Sequence, residues 1–187
     1  MAVRQRQHEQ DPMVRRTNFE AVESNLTDEQ AKLEASRCLH CKNPKCVQGC
    51  PVNINIPEFI KSVKEGNIEQ AGDIIRESSL LPSVCGRVCP QERQCEGKCI
   101  LGIKSEPIAI GALERYVGDS TSLKVGKIVP SGKKVAIVGS GCAGITAAAD
   151  LRKAGHEVVV FEALHKLGGV LRYGIPPVSY THLRAHE

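Results

Sequence analysis

Up to about residue 117 the apolar positions recur at helical spacing, and from residue 133 they shorten to continuous β-rich runs broken by glycine. The first helix start is Thr27-Asp28-Glu29-Gln30, a capping-box pattern in which threonine and the glutamine three residues on exchange side-chain and backbone bonds. It predicts a helix running to about Leu39. Pro57 suits the first turn of a second helix and Gly66 its end, and Ile68–Ser78 reads as a third. Pro107 again fits a first helical position, ahead of apolar residues at helical spacing over Ile108–Val117. Residues 1–25 are polar and predict an extended arm or a short helix. The stretch Gly118–Gly132, rich in Gly, Ser and Lys, is the linker, placed at 119–132. After it, Lys133–Val138 predicts a strand buried on both faces, followed by a glycine turn, the helical stretch ITAAADLRKAG and a second strand, HEVVVFE. The expected organisation is an arm (1–25), a helical domain (26–118), the linker and one βαβ unit (133–177).

Composition narrows the chemistry. The 187 residues suffice for one large core or two small ones, and the formal charge of +4 is spread without a basic block. With six aromatic residues (three Tyr, three Phe, no Trp) there is neither a phosphate-tracking stripe nor a base-stacking platform, so no nucleic-acid partner is expected. The polar start MAVRQRQHEQDP lacks the apolar stretch of a signal peptide, and no run of about 18 apolar residues occurs. A soluble, cytoplasmic protein with no membrane contact is the expectation. Its nine cysteines would stay reduced there, which points to metal or redox chemistry rather than disulfides.

Eight of those nine form two runs, Cys38-x2-Cys41-x4-Cys46-x3-Cys50-Pro51 and Cys85-x3-Cys89-x5-Cys95-x3-Cys99. Such spacings let several thiolates converge on a small inorganic core, and bacterial ferredoxins use a related run whose fourth cysteine ligates the other cluster. Two runs of four match two 4Fe-4S clusters. The alternative is zinc, since paired cysteines also build structural four-cysteine sites. Counting alone puts Cys38, Cys41, Cys46 and Cys50 on one cluster and the second run on the other.

The predicted strand runs directly into Gly139-Ser140-Gly141-Cys142-Ala143-Gly144. In a dinucleotide-binding loop of this kind Gly139 permits the tight turn, Gly141 lets backbone approach a pyrophosphate and Gly144 allows close helix packing. Cys142 is a small residue at the helix start, whose free N–H groups face the phosphates. Glu162, at the end of the second strand, is placed to accept hydrogen bonds from an adenosine ribose. The Gly168-Gly169 turn soon after that acid, followed by Val170 and Leu171, favours FAD over NAD as the bound dinucleotide.

The stretches ASRCLHCKNPKCVQGCPVNINIPEFI, LPSVCGRVCPQERQCEGKCILG, PIAIGALERYV, VAIVGSGCAG and GGVLRYGIP resemble the small (beta) subunit of NADPH-dependent glutamate synthase. The same module is similar to the N-terminal half of dihydropyrimidine dehydrogenase and to the large subunit of NADH-dependent ferredoxin:NADP oxidoreductase. The resemblance covers roughly Gln10 to Pro176. It implies an α-helical, ferredoxin-like two-cluster domain followed by the start of a Rossmann-type FAD-binding domain. It further implies interleaved ligation, with Cys38, Cys41, Cys46 and Cys99 on one cluster and Cys50, Cys89, Cys95 and Glu114 on the other. Cys85 is then a bystander. Read without the resemblance, Glu114 is an ordinary helix carboxylate.

What the resemblance implies for function is electron transfer from NADPH through FAD and the two clusters to a partner. That partner is a larger FMN-containing catalytic subunit or a ferredoxin-type acceptor. NADPH would bind on a C-terminal domain absent from this chain. The same module also serves ferredoxin:NADP oxidoreductase and sulfide dehydrogenase, and the non-enzyme alternative is a zinc-stabilised interaction module. No side chain stands out as an acid, base or nucleophile. The tail Val178–Glu187 departs from the family and reads as a translated sequencing adapter, so a truncated gene is expected, and with it an FAD portion that folds poorly on its own.

Overall fold

The computed structural model describes residues 3–18, 20–124 and 126–175, so the tail from Val178 lies outside the described residues. The chain divides into two units, one drawn from Met1–Gln10 and Glu23–Leu123, the other from Asp11–Val22 and Lys124–Glu187. In chain order the elements are α1 (Pro12–Arg15), α2 (Asp28–Ser36), α3 (Lys45–Gln48), α4 (Ile56–Glu65), α5 (Ile68–Arg76), α6 (Pro82–Val88), three short 3-10 turns (Gln91–Arg93, Glu96–Lys98, Ile100–Ile103), α7 (Ile110–Ser120), β1 (Lys134–Val138), α8 (Cys142–Lys153), β2 (Glu157–Phe161) and α9 (Val170–Tyr173).

The first unit is helical. Its core collects Ala31 and Ala35 of α2, Phe59, Ile60 and Val63 of α4, Ala71 and Ile75 of α5, and Leu113 and Val117 of α7, all buried. The capping box forms as the sequence predicts: Gln30 N–H donates to Thr27 Oγ1 at 3.2 Å and Thr27 N–H to Gln30 Oε1 at 3.0 Å. Thr27→Ala is expected to destabilise this unit by about 1 kcal/mol, the usual cost of losing such a cap, read from its denaturation midpoint in the cluster-loaded protein. Gly66 closes α4 in the left-handed conformation at φ 81°, as its position suggested.

Three expectations shift. α2 stops at Ser36, not Leu39, because the chain must turn there to present Cys38. α6 is an additional helix; Pro82 at its first turn was the signal for it. The last helix begins at Ile110, three residues past Pro107, and runs to Ser120. Pro107 is held outside it, its carbonyl accepting from Arg4 at 3.1 Å and Arg37 at 3.3 Å. α7 packs on α6 at a close approach: a Cβ on Gly86 would lie 2.5 Å from the Arg115 amide nitrogen. Arg87 then pairs with Asp119 through two bonds of 2.8 and 2.7 Å, fixing the far end of the contact.

In the second unit β1 and β2 pair in parallel, Lys134 opposite Glu157 through Val138 opposite Phe161. The expectation of a strand buried on both faces does not hold. Both strands alternate exposed and half-buried positions, and Val138 is 89% exposed. The reason is coverage: among the described residues this two-stranded sheet has α8 as its crossover helix, and a parallel sheet needs helices on both faces.

Candidate metal centres and nucleotide loop

Cys38 leaves the end of α2 with its N–H still bonded to the Ala35 carbonyl at 3.1 Å. His40 then adopts a left-handed conformation, φ 47°, which reverses the chain before Cys41. Cys46 lies in α3, and Cys99 caps the 3-10 turn Glu96–Lys98. Cys38, Cys41, Cys46 and Cys99 line one cavity, walled by Ile56, Ile60 and Leu101. Cys50 is not part of it. The two cysteine runs cross at Gly49, where a Cβ would sit 2.7 Å from the Gln94 carbonyl and 2.9 Å from Lys98 Cγ. Only a residue without a side chain allows that approach, and it sets Cys46 beside Cys99 while Cys50 falls beside Cys89 and Cys95. Burial and then the neighbouring Cys99 and Cys38 push the Cys46 thiol up to about 11. Cys38 is raised by burial foremost, then by the neighbouring Cys41 and Cys99.

The second group is Cys50, Cys89, Cys95 and Glu114, with Cys85 beside it. Cys95 is raised to about 12 by burial and then by the Glu96 and Glu114 carboxylates. Cys85 donates its S–H to Cys89, which lowers the Cys89 thiol and raises its own. Glu114, on α7, is buried, and its Oε1 has no hydrogen-bond partner. Burial, then Cys85, lifts its carboxyl to about 8. A carboxylate stripped of water without a partner costs free energy, so a cation among these thiols is the natural complement to it. Both groups therefore fit iron-sulfur clusters by donor chemistry: four thiols around a cavity, and three thiols with an orphaned carboxylate. Among the described residues no three His, Cys, Asp or Glu side chains are gathered for a single metal ion.

In the second unit the glycine loop and the acid meet. Glu162 accepts from Ser140 through both its N–H, at 2.9 Å, and its hydroxyl, and from the Leu164 N–H at 2.9 Å. The Ser140 hydroxyl bond, the largest cause, and these amides hold the Glu162 carboxyl down to about 2. Ser140 is itself buried and accepts the Gly168 N–H at 3.0 Å, so the Gly168-Gly169 turn is tied to the loop. Both glycines of that turn have positive φ, 117° and 52°. A Cβ on Gly144 would come within 2.0 Å of the Gly139 carbonyl oxygen, whereas one on Gly141 would meet nothing within 4 Å. Gly144 is thus required by the fold and Gly141 borders open space, a cradle that a side chain would fill. Cys142 and Ala143 open α8 over that space, and Leu171 is buried in α9.

Residues 15–125 match the family described as dihydropyrimidine dehydrogenase domain II, 4Fe-4S cluster. The chain belongs to this family. The 4Fe-4S family match takes in all eight clustered cysteines and Glu114, and residues 137–178 match a second family, the NAD(P)-binding Rossmann-like domain. A helical, ferredoxin-like 4Fe-4S domain is therefore followed by the start of a Rossmann-like one. The chain is similar to UacF of Escherichia coli strain K12, 42% identical over 87% of this chain and 26% of that protein. It is similar also to the glutamate synthase [NADPH] small chain of the same organism, 40% identical over 87% of this chain and 36% of that one. The glutamate synthase [NADPH] small chain of Azospirillum brasilense is 38% identical over 87% and 35%. The chain thus spans between a quarter and about a third of the length of these relatives. No helix among the described residues is long and apolar enough to cross a membrane.

Three residues outside the predicted site bind at the start of α7: Glu34, Glu96 and Arg4. Glu34 is fully buried and accepts from Gln5 N–H at 2.7 Å, Arg37 at 2.6 Å and Ala109 N–H at 2.8 Å. No sequence pattern separates such an acid from a solvated one. Its role exists only once distant segments meet.

Proposed function

We propose that this chain is the electron-carrying N-terminal part of an NADPH-dependent iron-sulfur flavoprotein oxidoreductase of the glutamate synthase small-chain type. Two 4Fe-4S clusters are held in interleaved fashion, one by Cys38, Cys41, Cys46 and Cys99, the other by Cys50, Cys89, Cys95 and Glu114. The observation that carries this reading is the buried, unpartnered Oε1 of Glu114 among three thiols, beside a separate cavity lined by four. When bound, such clusters supply one-electron transfer and a flavin joins it to the two-electron chemistry of a nicotinamide.

The chain's own residues bind and insulate. Ile56, Ile60 and Leu101 give the first thiol group an apolar wall, and burial in α7 keeps water from Glu114. In the second unit Ser140 and Glu162 brace the loop, Gly141 leaves room for a pyrophosphate and the start of α8 presents N–H groups to it. FAD is the dinucleotide proposed there, NADPH binding falls to the part of the protein beyond this chain, and a larger catalytic subunit or a ferredoxin-type acceptor takes the electrons. No residue described acts as an acid, base or nucleophile.

The test is anaerobic reconstitution with iron and sulfide. About eight iron atoms and as many acid-labile sulfides per chain are expected for two cubanes, with a reducible broad absorption near the visible-blue region. Zinc bound without iron or sulfide would instead support a zinc-stabilised interaction module.

A further inference from the structure

The first turn of α7 begins with amides that no helical carbonyl can reach, and two buried carboxylates from elsewhere in the chain take them. Glu34 Oε1 accepts from Ala109 N–H at 2.8 Å, and Glu96 Oε1 accepts from Gly111 N–H at 3.0 Å. Each carboxylate's other oxygen is taken by the N-terminal segment: Gln5 N–H reaches Glu34 Oε2 at 2.7 Å, and Arg4 Nη2 reaches Glu96 Oε2 at 2.6 Å. Arg4 Nη1 also donates to the Pro107 carbonyl at 3.1 Å, just upstream of the same helix. Gly111 and Glu114 are three residues apart on α7 and so share a face. A slip or rotation of this first turn would carry the Glu114 carboxylate away from Cys50, Cys89 and Cys95.

Charge points the same way. Glu96 is buried and adjoins Cys95, and its negative charge acts on that thiol. The guanidinium of Arg4 is the cation paired with it, with the Arg4 side chain 22% exposed and that of Glu96 9%. Without Arg4, an uncompensated buried carboxylate would lie next to the second thiol group. Arg6, in the same segment, differs. It pairs with Glu106, upstream of α7, between two well-exposed side chains, where ion pairs contribute little.

We propose that Arg4 is a positioning residue for the second metal centre: bound to Glu96 and to the Pro107 carbonyl, it holds the start of α7 so that Glu114 stays in place as a ligand, and it offsets the Glu96 charge. This rests on the reading of Glu114 as a ligand given above. Arg4 is remote in sequence from the group it serves, lying 92 residues before Glu96.

The experiment compares the whole chain, reconstituted anaerobically, with its Arg4→Gln, Arg4→Lys, Arg6→Gln and Glu114→Ala variants. The readouts are iron content, the electron paramagnetic resonance spectrum of the reduced clusters, and their midpoint potentials. Arg4→Gln is expected to leave one cluster signal as in the parent, to split or broaden the other, and to move that cluster's potential to a more negative value. Arg4→Lys restores most of the parent spectrum, and Arg6→Gln matches the parent. Glu114→Ala perturbs the same cluster signal as Arg4→Gln and leaves the other alone. If Glu114→Ala alters the spectrum while Arg4→Gln leaves both signals and potentials unchanged, the clamp is wrong and the ligand assignment stands. If both variants keep the parent spectrum, the ligand assignment fails and takes the clamp with it. Should Arg4→Gln fold poorly, Glu96→Gln tests the same link, since it keeps the shape and removes the charge. A parent spectrum and potential in that variant would equally overturn the proposal.

Discussion

Cys99→Ser and Cys46→Ser are expected to remove the same cluster, each leaving about four of about eight iron atoms and the same residual spectrum. Cys50→Ser and Cys89→Ser should form a second matched pair with the complementary spectrum. The expectation follows from the crossing at Gly49, which places Cys46 and Cys99 on one cavity and sends Cys50 towards Cys89 and Cys95. Assignment by run predicts the opposite pairing, Cys46 with Cys50 and Cys89 with Cys99. Iron analysis together with electron paramagnetic resonance of the four single variants decides between them. Identical residual spectra for Cys46→Ser and Cys50→Ser would refute the interleaved assignment. The effect should be large because a serine hydroxyl replaces the thiolate that the cluster requires. Cys85→Ala provides the contrast. It removes the S–H donor to Cys89 and the contact with Ser79 Oγ but no proposed ligand, so both clusters should assemble and a single signal should shift.

In the second unit the largest effect is expected at two glycines that fail in different ways. Gly144→Ala places a methyl group 2.0 Å from the Gly139 carbonyl oxygen, so the loop must move. Overpacking of this kind costs about 1–3 kcal/mol. Because the same loop cradles the nucleotide, affinity for FAD should fall roughly ten- to hundredfold, the equivalent of that cost in binding. Gly141→Ala meets nothing within 4 Å, so β1, β2 and α8 should keep their amide protection while FAD affinity falls as far. Fluorescence titration with FAD of the protein carrying its complete Rossmann-like domain, paired with hydrogen exchange of the β1 and β2 amides, separates the two. Unchanged FAD binding in Gly141→Ala would mean that the space beside this glycine is not where the pyrophosphate lies.

Much of the fold was legible because its signals are local. The capping box at Thr27, the left-handed glycine at Gly66 and the strand-glycine-helix-strand order from Lys133 each depend on a few consecutive residues, and each forms where the sequence placed it. The start of α7 was misjudged for a reason of the same kind in reverse. Pro107 is a sound local signal for a helix start. It is overruled by Arg4, Arg37, Glu34 and Glu96, which claim the Pro107 carbonyl and the amides of Ala109 and Gly111.

The residue types of the site were equally readable. Eight cysteines at short spacings and a glycine loop closed by Ser140 and Glu162 announce metal and dinucleotide chemistry whatever the packing around them. Which cysteines belong together is another matter, because spacing constrains only thiols within one run. The grouping depends on one run pressing against the other at Gly49, and a contact between segments some 45 residues apart leaves no mark on either alone. Glu114 makes the same point more sharply. Its letter in the sequence is that of any surface carboxylate, and only the packing of α7 onto α6 and under two remote glutamates removes its water and turns it towards the thiols. The sequence by itself determined most of the helices, the clustering of the cysteines and the nucleotide loop. The tertiary structure alone decided which thiols lie together in space and the burial of Glu114, since both arise from the desolvation and close approach of segments that are distant along the chain.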